Sequence, residues 1–294
     1  YAAIIAKDLR AHDINVEVSL LDKKVGDQIR LADKKKIPFV ICIGENEIKT
    51  GEMTIKNLSS GEEVIPATIS SLLEERKIKP SIFAQHRAHS TYLCFGGEPQ
   101  ELVDELLGKE TGCSSGMGGS ASIQSKKIAM YGHDGMMGSQ VPISTGFCFA
   151  TKTPTITIMG DASGEEDYVL TSLGWSITKK LPILYIIEDN NLSILTEKKV
   201  RRSWEICDIA KSMKIKTFNI TDDPKEIKKT SKYWFNDGPT LLNIKTNRLY
   251  FHAGAGQDPG DKFDRLLELK NKFSFKDDFF ESKTKKEIEK MWNI

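Results

Sequence analysis

The chain has 294 residues, 39% apolar and 28% charged, a balance that fits one large soluble domain or two unequal ones. Lysine and arginine number 42 against 41 acidic residues, so a net charge of +1 supplies no bulk attraction to nucleic acid or a membrane surface. No apolar run approaches the roughly 20 residues of a membrane span. The five cysteines (Cys42, Cys94, Cys113, Cys148 and Cys207) form no CxxC pair, and their number is odd. They read as reduced thiols in a cytoplasmic compartment rather than a disulfide framework or a zinc site.

In chain order, residues 1–10 place Ile4, Ile5 and Leu9 on one helical face. The chain opens at Tyr1 inside this pattern and without a methionine, which suggests a fragment whose beginning is missing. Val16 to Leu21 alternates like a strand, Val25 to Ala32 reads as a helix, and Ile37 to Gly44 reads as a short buried strand. Such alternation indicates a small α/β unit. The pattern changes near residue 64. Ile65 to Ile78 is helix-like, with Pro66 at the tolerated first turn. A glycine-rich stretch follows from Gly96 to Gly146. Thr155 to Met159 is a β-branched strand, Asp167 to Lys180 a helix, and Leu181 to Ile187 a second strand. Asn236 to Pro239 is a polar turn before a strand over Thr240 to Thr246, and the last residues, rich in Lys, Glu and Phe, suggest an amphipathic helical tail.

The informative segment is GDASGEEDYVLTSLGWSITKKLPILYIIEDNNL, residues 160–192. Asp161 follows one strand, a crossover helix intervenes, and Asn190 follows the next strand, 29 residues further on. Two oxygen donors at the carboxyl ends of adjacent parallel strands suit a hard cation such as Mg²⁺, which takes a few protein oxygens and completes its octahedron with phosphate oxygens and water. The segment resembles the thiamine diphosphate motif, Gly-Asp-Gly followed after the crossover by Asn-Asn. The wording KKLPILYIIEDN is similar to that of the alpha subunits of thiamine diphosphate-dependent 2-oxo acid dehydrogenases of the pyruvate or acetoin type. The resemblance implies a three-layer α/β fold with a mostly parallel sheet. It also implies that the Asp161 and Asn190 side chains and the Leu192 carbonyl hold Mg²⁺, with Gly160, Ala162 and Ser163 against the cofactor.

Three further segments follow in that family's order. HRAH, residues 86–89, resembles the Tyr-Arg-x-His segment. His86 and Arg87 would hold the diphosphate, and His89 would stand near the substrate carbonyl. GMMGSQVP, residues 135–142, resembles G-x-V-G-x-Q-x-P, whose backbone at Gly135 and Met137 would contact the aminopyrimidine. It is preceded by a glycine-rich run, Gly108 to Ser120, that also matches. KTNRLYFH, residues 245–252, resembles a loop that closes over the site; Arg248 would be a second diphosphate contact and His252 a catalytic acid–base group. The departures are Ala162 for the third residue of Gly-Asp-Gly, Asp189 for the first Asn of the pair, Ser122 for a histidine, and Thr171 and Gly174 for Glu and Asn on the crossover helix. The extra methyl of Ala162 is expected to crowd the approach of the backbone to phosphate.

Residues 1–64 resemble instead a partial anticodon-binding domain of class II aminoacyl-tRNA synthetases, the histidyl type most closely. The resemblance rests on Leu9-Arg10 with Ile14, Val16, Glu17 and Val18; on Gly26, Gln28, Ile29, Ala32 and Asp33; and on the strand Ile37 to Val40 before Gly44, Glu45 and Glu47. Residues 65–294 would then be the dehydrogenase-type domain. The implied activity is oxidoreductase chemistry on an oxo group: oxidative decarboxylation of a small 2-oxo acid, or acetoin cleavage. A separate beta subunit, in a heterotetramer, would supply the glutamate that activates the cofactor. The alternative is a tRNA-binding module fused to a non-catalytic thiamine-type domain.

Overall fold

The computed structural model describes residues 6, 18, 64–132, 135–250, 252, 263–273, 284 and 287–292. The elements expected within residues 1–63 therefore lie outside the described residues, apart from positions 6 and 18. The chain divides into two units, Tyr1–Ser60 with Leu249–Asp261, and Gly61–Arg248 with Lys262–Ile294. The second unit carries the architecture below.

Among the described residues, six parallel strands form one sheet in the order β2-β1-β3-β4-β8-β7. They are β1 (Ser81–Phe83), β2 (Met130–Tyr131), β3 (Thr155–Gly160), β4 (Ile183–Asp189), β7 (Lys216–Thr221) and β8 (Thr240–Lys245); β5 (Leu192–Ser193) and β6 (Thr196–Glu197) form a separate small hairpin. The central strand β4 is buried along its whole length, as expected where helices cover both faces of a parallel sheet. On one face Met159, Ile183, Tyr185, Ile187 and Leu241 pack under α4 (Gln140–Thr151), α5 (Asp167–Thr178) and α7 (Ile206–Ser212). On the other, Ile156, Ile158, Leu184, Ile186, Leu242 and Ile244 pack under α1 (Val64–Glu75), α8 (Pro224–Thr230) and Trp234. The alternation of Ile183, Tyr185 and Ile187 with Leu184 and Ile186 divides one apolar run between two cores, each side chain contributing about 1.5–3 kcal/mol. The layers are helix, sheet, helix.

The expected strands at Thr155, Leu181 and Thr240 and the expected helices at Ile65 and Asp167 are present, with ends shifted by one to three residues. The polar turn at Asn236 is present too, with positive φ at Phe235, Asp237 and Gly238. A helix, α9 (Arg265–Phe273), falls within the expected tail and is tied to the unit by Arg265 Nε donating to Asp222 at 2.8 Å. Not anticipated were β1, β2 and β7, nor α2 (His89–Cys94) and α3 (Pro99–Leu106) inside or beside the glycine-rich stretch.

That stretch is ordered around one carboxylate. Glu105, on α3 and fully buried, accepts the backbone N–H groups of Ser114 (2.7 Å), Gly116 (2.9 Å), Gly118 (2.7 Å) and Gly119 (3.0 Å). A Cβ at Gly112 would lie 2.5 Å from the same carboxylate, so glycine is needed for this close approach. Burial pushes the Glu105 pKa up, and the four N–H donors outweigh it, holding the group below its ordinary value of 4.5. A depressed pKa stabilises the fold above the ordinary carboxylate range, and that stabilisation is lost as pH falls through the folded-state value. Glu105→Gln should therefore cost about 3 kcal/mol at neutral pH in urea unfolding. The difference from wild type should shrink as the pH is lowered below 4.5.

Candidate functional site

The parallel register aligns the ends of four neighbouring strands. Gly160 at the end of β3 pairs with Glu188, and Asp189 at the end of β4 pairs with Lys245 at the end of β8. The chain thus leaves β3 at Asp161, β4 at Asn190 and β8 at Thr246 along one edge, and β1, beside β3, leaves there into Ala84 and Gln85. Gln85 ties these ends together. Its Nε2 donates to Glu188 Oε2 at 2.8 Å, and a Cβ on Gly160 would lie 3.3 Å from its Oε1.

Asp161 opens a 3-10 turn, Asp161–Glu165, and is 2% exposed. Its Oδ2 accepts Arg201 Nη2, and its carbonyl accepts Arg202 Nη1 at 3.1 Å. Both arginines also reach Glu165 Oε1, at 2.8 and 3.2 Å. Arg201 closes the short helix α6 (Lys198–Arg201), and Arg202 stacks over Trp204 at 4.8 Å. Asn190 follows β4, and its Oδ1 accepts the Leu192 N–H at 3.0 Å, a local turn that fixes where the Leu192 backbone lies. The neighbouring Asp189 is buried. It accepts Lys198 Nζ at 2.8 Å and Asn243 Nδ2 at 3.0 Å, so its charge is matched within the fold. Burial raises its pKa, and Lys198 and Asn243 more than offset that, leaving it below the ordinary range.

Beyond Gln85, His86 accepts from Arg87 Nη2 at 2.8 Å, and Arg87 takes a positive φ of 56° that turns the chain into α2. His89 Nε2 lies 3.1 Å from Ser120 Oγ and 3.3 Å from the Ser120 carbonyl, so the loop ordered by Glu105 meets the expected catalytic histidine. Burial draws the His89 imidazole below its ordinary pKa of 6.5; the Ser120 carbonyl opposes this and the Arg87 charge adds to it. Near neutral pH the ring is therefore mainly neutral. Gly135 and Gly138 have φ of +99° and +82°, and the Met137 carbonyl accepts the Tyr168 hydroxyl from α5. Gln140 Nε2 donates to the Ile158 carbonyl at 2.9 Å, docking the start of α4 on β3. Arg248, just past β8, is 4% exposed. His252 belongs to the other unit, so the two ends of the expected closing loop fall in different units.

Along this edge Gly160 ends β3 and Asp161, Ala162 and Ser163 follow it, Asn190 and Leu192 follow β4, Arg248 lies three residues past β8, and Arg87 four residues past β1. Ala162 is buried in the 3-10 turn and is not among the residues of positive φ, so the methyl imposes no backbone strain there. A carboxylate, an amide oxygen and a backbone carbonyl are hard donors that suit Mg²⁺ with phosphate oxygens. Nearby, Arg201 Nε and Arg202 Nε and Nη2 are buried and meet no acceptor among the described residues, a surplus of cationic donors that fits an anionic ligand. Among the described residues no three His, Cys, Asp or Glu side chains converge on a metal position. Reading the sequence missed Gln85, Glu105, Arg201 and Arg202. Gln85, Arg201 and Arg202 act on partners distant in sequence, and Glu105 on a loop further along the chain, so no local spacing signals them.

The sequence model of the dehydrogenase E1 component family matches residues 27–285. The pyruvate dehydrogenase E1 component subunit alpha of Rickettsia prowazekii (strain Madrid E) is 34% identical over 201 residues, 64% of this chain and 61% of that protein. The mitochondrial pyruvate dehydrogenase E1 component subunit alpha-1 of Oryza sativa subsp. japonica is 28% identical over 216 residues, 70% of this chain and 54% of that protein. A transketolase structure from Campylobacter jejuni superposes with a TM-score of 0.49 at 14% identity, covering 64% of this chain and 37% of that one. The chain therefore spans about half to three-fifths of the length of these curated relatives. With a match over most of its residues, the chain belongs to the dehydrogenase E1 component family.

Proposed function

We propose that this chain is the alpha-type half of a thiamine diphosphate-dependent 2-oxo acid dehydrogenase. The observation that carries the reading is the register of β3 with β4, which sets Asp161 and Asn190 on adjacent strand ends. Asp161, Asn190 and the Leu192 carbonyl would hold Mg²⁺. Arg87, Arg248 and His86 would hold the diphosphate, and the backbone at Gly135 and Met137 the aminopyrimidine. Gly160, Ala162 and Ser163 form the turn that passes beneath the phosphates. The bound cofactor supplies the electron sink for decarboxylating a small 2-oxo acid or cleaving acetoin. His89, in the neutral tautomer whose Nε2 accepts from the Ser120 hydroxyl, keeps an N–H at Nδ1 that can donate a hydrogen bond to a developing oxyanion or move a proton at that oxygen. His252 falls in the other unit and carries its expected acid–base role on the motif alone. The reading includes a separate beta-type subunit carrying the glutamate for the aminopyrimidine. The exposed apolar side chains of Ile143, Phe149 and Trp175, on α4 and α5 beside the Met137–Tyr168 contact, offer a face for it.

For residues 1–64 we propose as a second reading a tRNA-contacting remnant, on the sequence resemblance of that segment to an anticodon-binding domain alone. The family match that begins at residue 27 overlaps it. Salt-sensitive binding with a preference for tRNA over heparin is the expected outcome in a fluorescence titration, and equal affinity for both rejects it.

Thiamine diphosphate with Mg²⁺ at a hundred times its Kd should stabilise the chain, with its beta partner, by about 2.7 kcal/mol, a rise in Tm of about 5–10 °C. Asp161→Ala should abolish that rise in a thermal shift measurement, and no rise in the wild-type pair rejects the assignment. In a decarboxylation assay of the reconstituted pair, His89→Ala should lower kcat by about a hundredfold or more, with a smaller effect on KM.

A further inference from the structure

We propose that Arg201 is a positioning residue for the Asp161 carboxylate, clamping one of its oxygens so that the other faces the divalent ion. This rests on the reading of Asp161 as a metal ligand. Arg201 Nη2 engages Asp161 Oδ2, while Oδ1 has no hydrogen bond among the described residues. The two side chains are 11% and 2% exposed, so the pair is shielded from water and its geometry is held. The same guanidinium places Nη1 on Glu165 Oε1 at 2.8 Å, at the far end of the Asp161–Glu165 turn. A planar fork gripping two carboxylates fixes their separation, which a flexible ammonium cannot do. Arg202 reinforces the turn from below, reaching the Asp161 carbonyl at 3.1 Å and Glu165 Oε1 at 3.2 Å with a side chain 1% exposed.

The helix that carries these residues also holds the second strand end. Lys198 Nζ is 2.8 Å from Asp189 Oδ2, and the Lys198 N–H donates to the Asn191 carbonyl at 3.0 Å. One short helix thus ties the turn after β3 to the turn after β4, the two turns from which the metal donors come. A competing role, in which Arg201 merely occupies the place of the cation until it arrives, fits less well. Glu165 is a second anchor that keeps the guanidinium where it is, and Oδ1 is left for the metal.

The test is Mn²⁺ uptake by the full chain paired with its beta partner, with thiamine diphosphate present, read as loss of the free-ion EPR signal. Arg201→Met should raise the Mn²⁺ concentration for half-saturation roughly 10- to 100-fold, the usual effect of removing a group that orients a metal ligand. Arg201→Lys should recover part of that loss. Lys199→Met, on the exposed side of the same helix in a surface pair with Glu197, should leave uptake unchanged. If Arg201→Met does not fold by circular dichroism, Glu165→Ala decides instead, because it removes the acceptor of Arg201 Nη1 while keeping the contact to Asp161; it too should weaken uptake. Wild-type uptake in the folded variants, or tighter uptake, overturns the proposal while leaving the cofactor assignment intact. No uptake by the wild-type chain with its beta partner overturns the cofactor assignment, and the role of Arg201 with it.

Discussion

The parallel register between β3 and β4 is the constraint on which the rest of the unit depends. Hydrogen bonds from Thr155 through Gly160 to Ile183 through Glu188 leave no slack between the two strands. A slip by one residue would exchange the two faces of β4 and put Ile183, Tyr185 and Ile187 into the core now occupied by Leu184 and Ile186. Burial on both faces therefore pins the register, and the register puts Asp161 beside Asn190. The apolar core and the polar edge are two consequences of one alignment.

Charge at that edge is handled by pairing. Asp161 and Glu165 meet Arg201 and Arg202, and Asp189 meets Lys198. Acids this buried would be costly alone, and the pairs hold them in defined positions. The replacement of a neutral asparagine by Asp189 is matched by Lys198 and Asn243, which explains how the fold carries an additional negative charge next to the Asn190 turn. Ala162 is matched differently: it lies in a turn whose backbone does not need glycine. Of the five departures, these two are thus accommodated by the fold itself: Asp189 by its partners and Ala162 by an unstrained backbone.

Much of the sheet was legible beforehand because its central strands are continuous β-branched or aliphatic runs flanked by Gly, Asp and Pro. Thr155–Gly160, Ile183–Asp189 and Thr240–Lys245 are of that kind. The short β1, the two-residue β2 and the more polar β7 were not. Three residues carry no periodicity, and β7 opens on exposed Lys216 and alternates Asn219 and Thr221 with partly buried Phe218 and Ile220 at the sheet margin. The glycine-rich stretch concealed α3 and its organising Glu105, because a carboxylate that collects four N–H groups from a later loop has no signature in its own neighbourhood.

The sequence by itself determined the identity and spacing of the donors. Asp161 after one strand, Asn190 after the next, and Arg87, His89 and Arg248 in a familiar order are readable because local propensity and the length of a crossover helix dictate them. Tertiary structure alone decided which cations stand against those donors. Arg201 meets an acid 40 residues earlier in the chain, and Gln85 meets Glu188 103 residues later, through contacts made across the edge of the sheet. Such pairings follow from packing in three dimensions rather than from any short-range pattern. The motif from Gly160 to Leu192 carries the proposed metal donors, and only the folded edge showed what holds the Asp161 carboxylate in place.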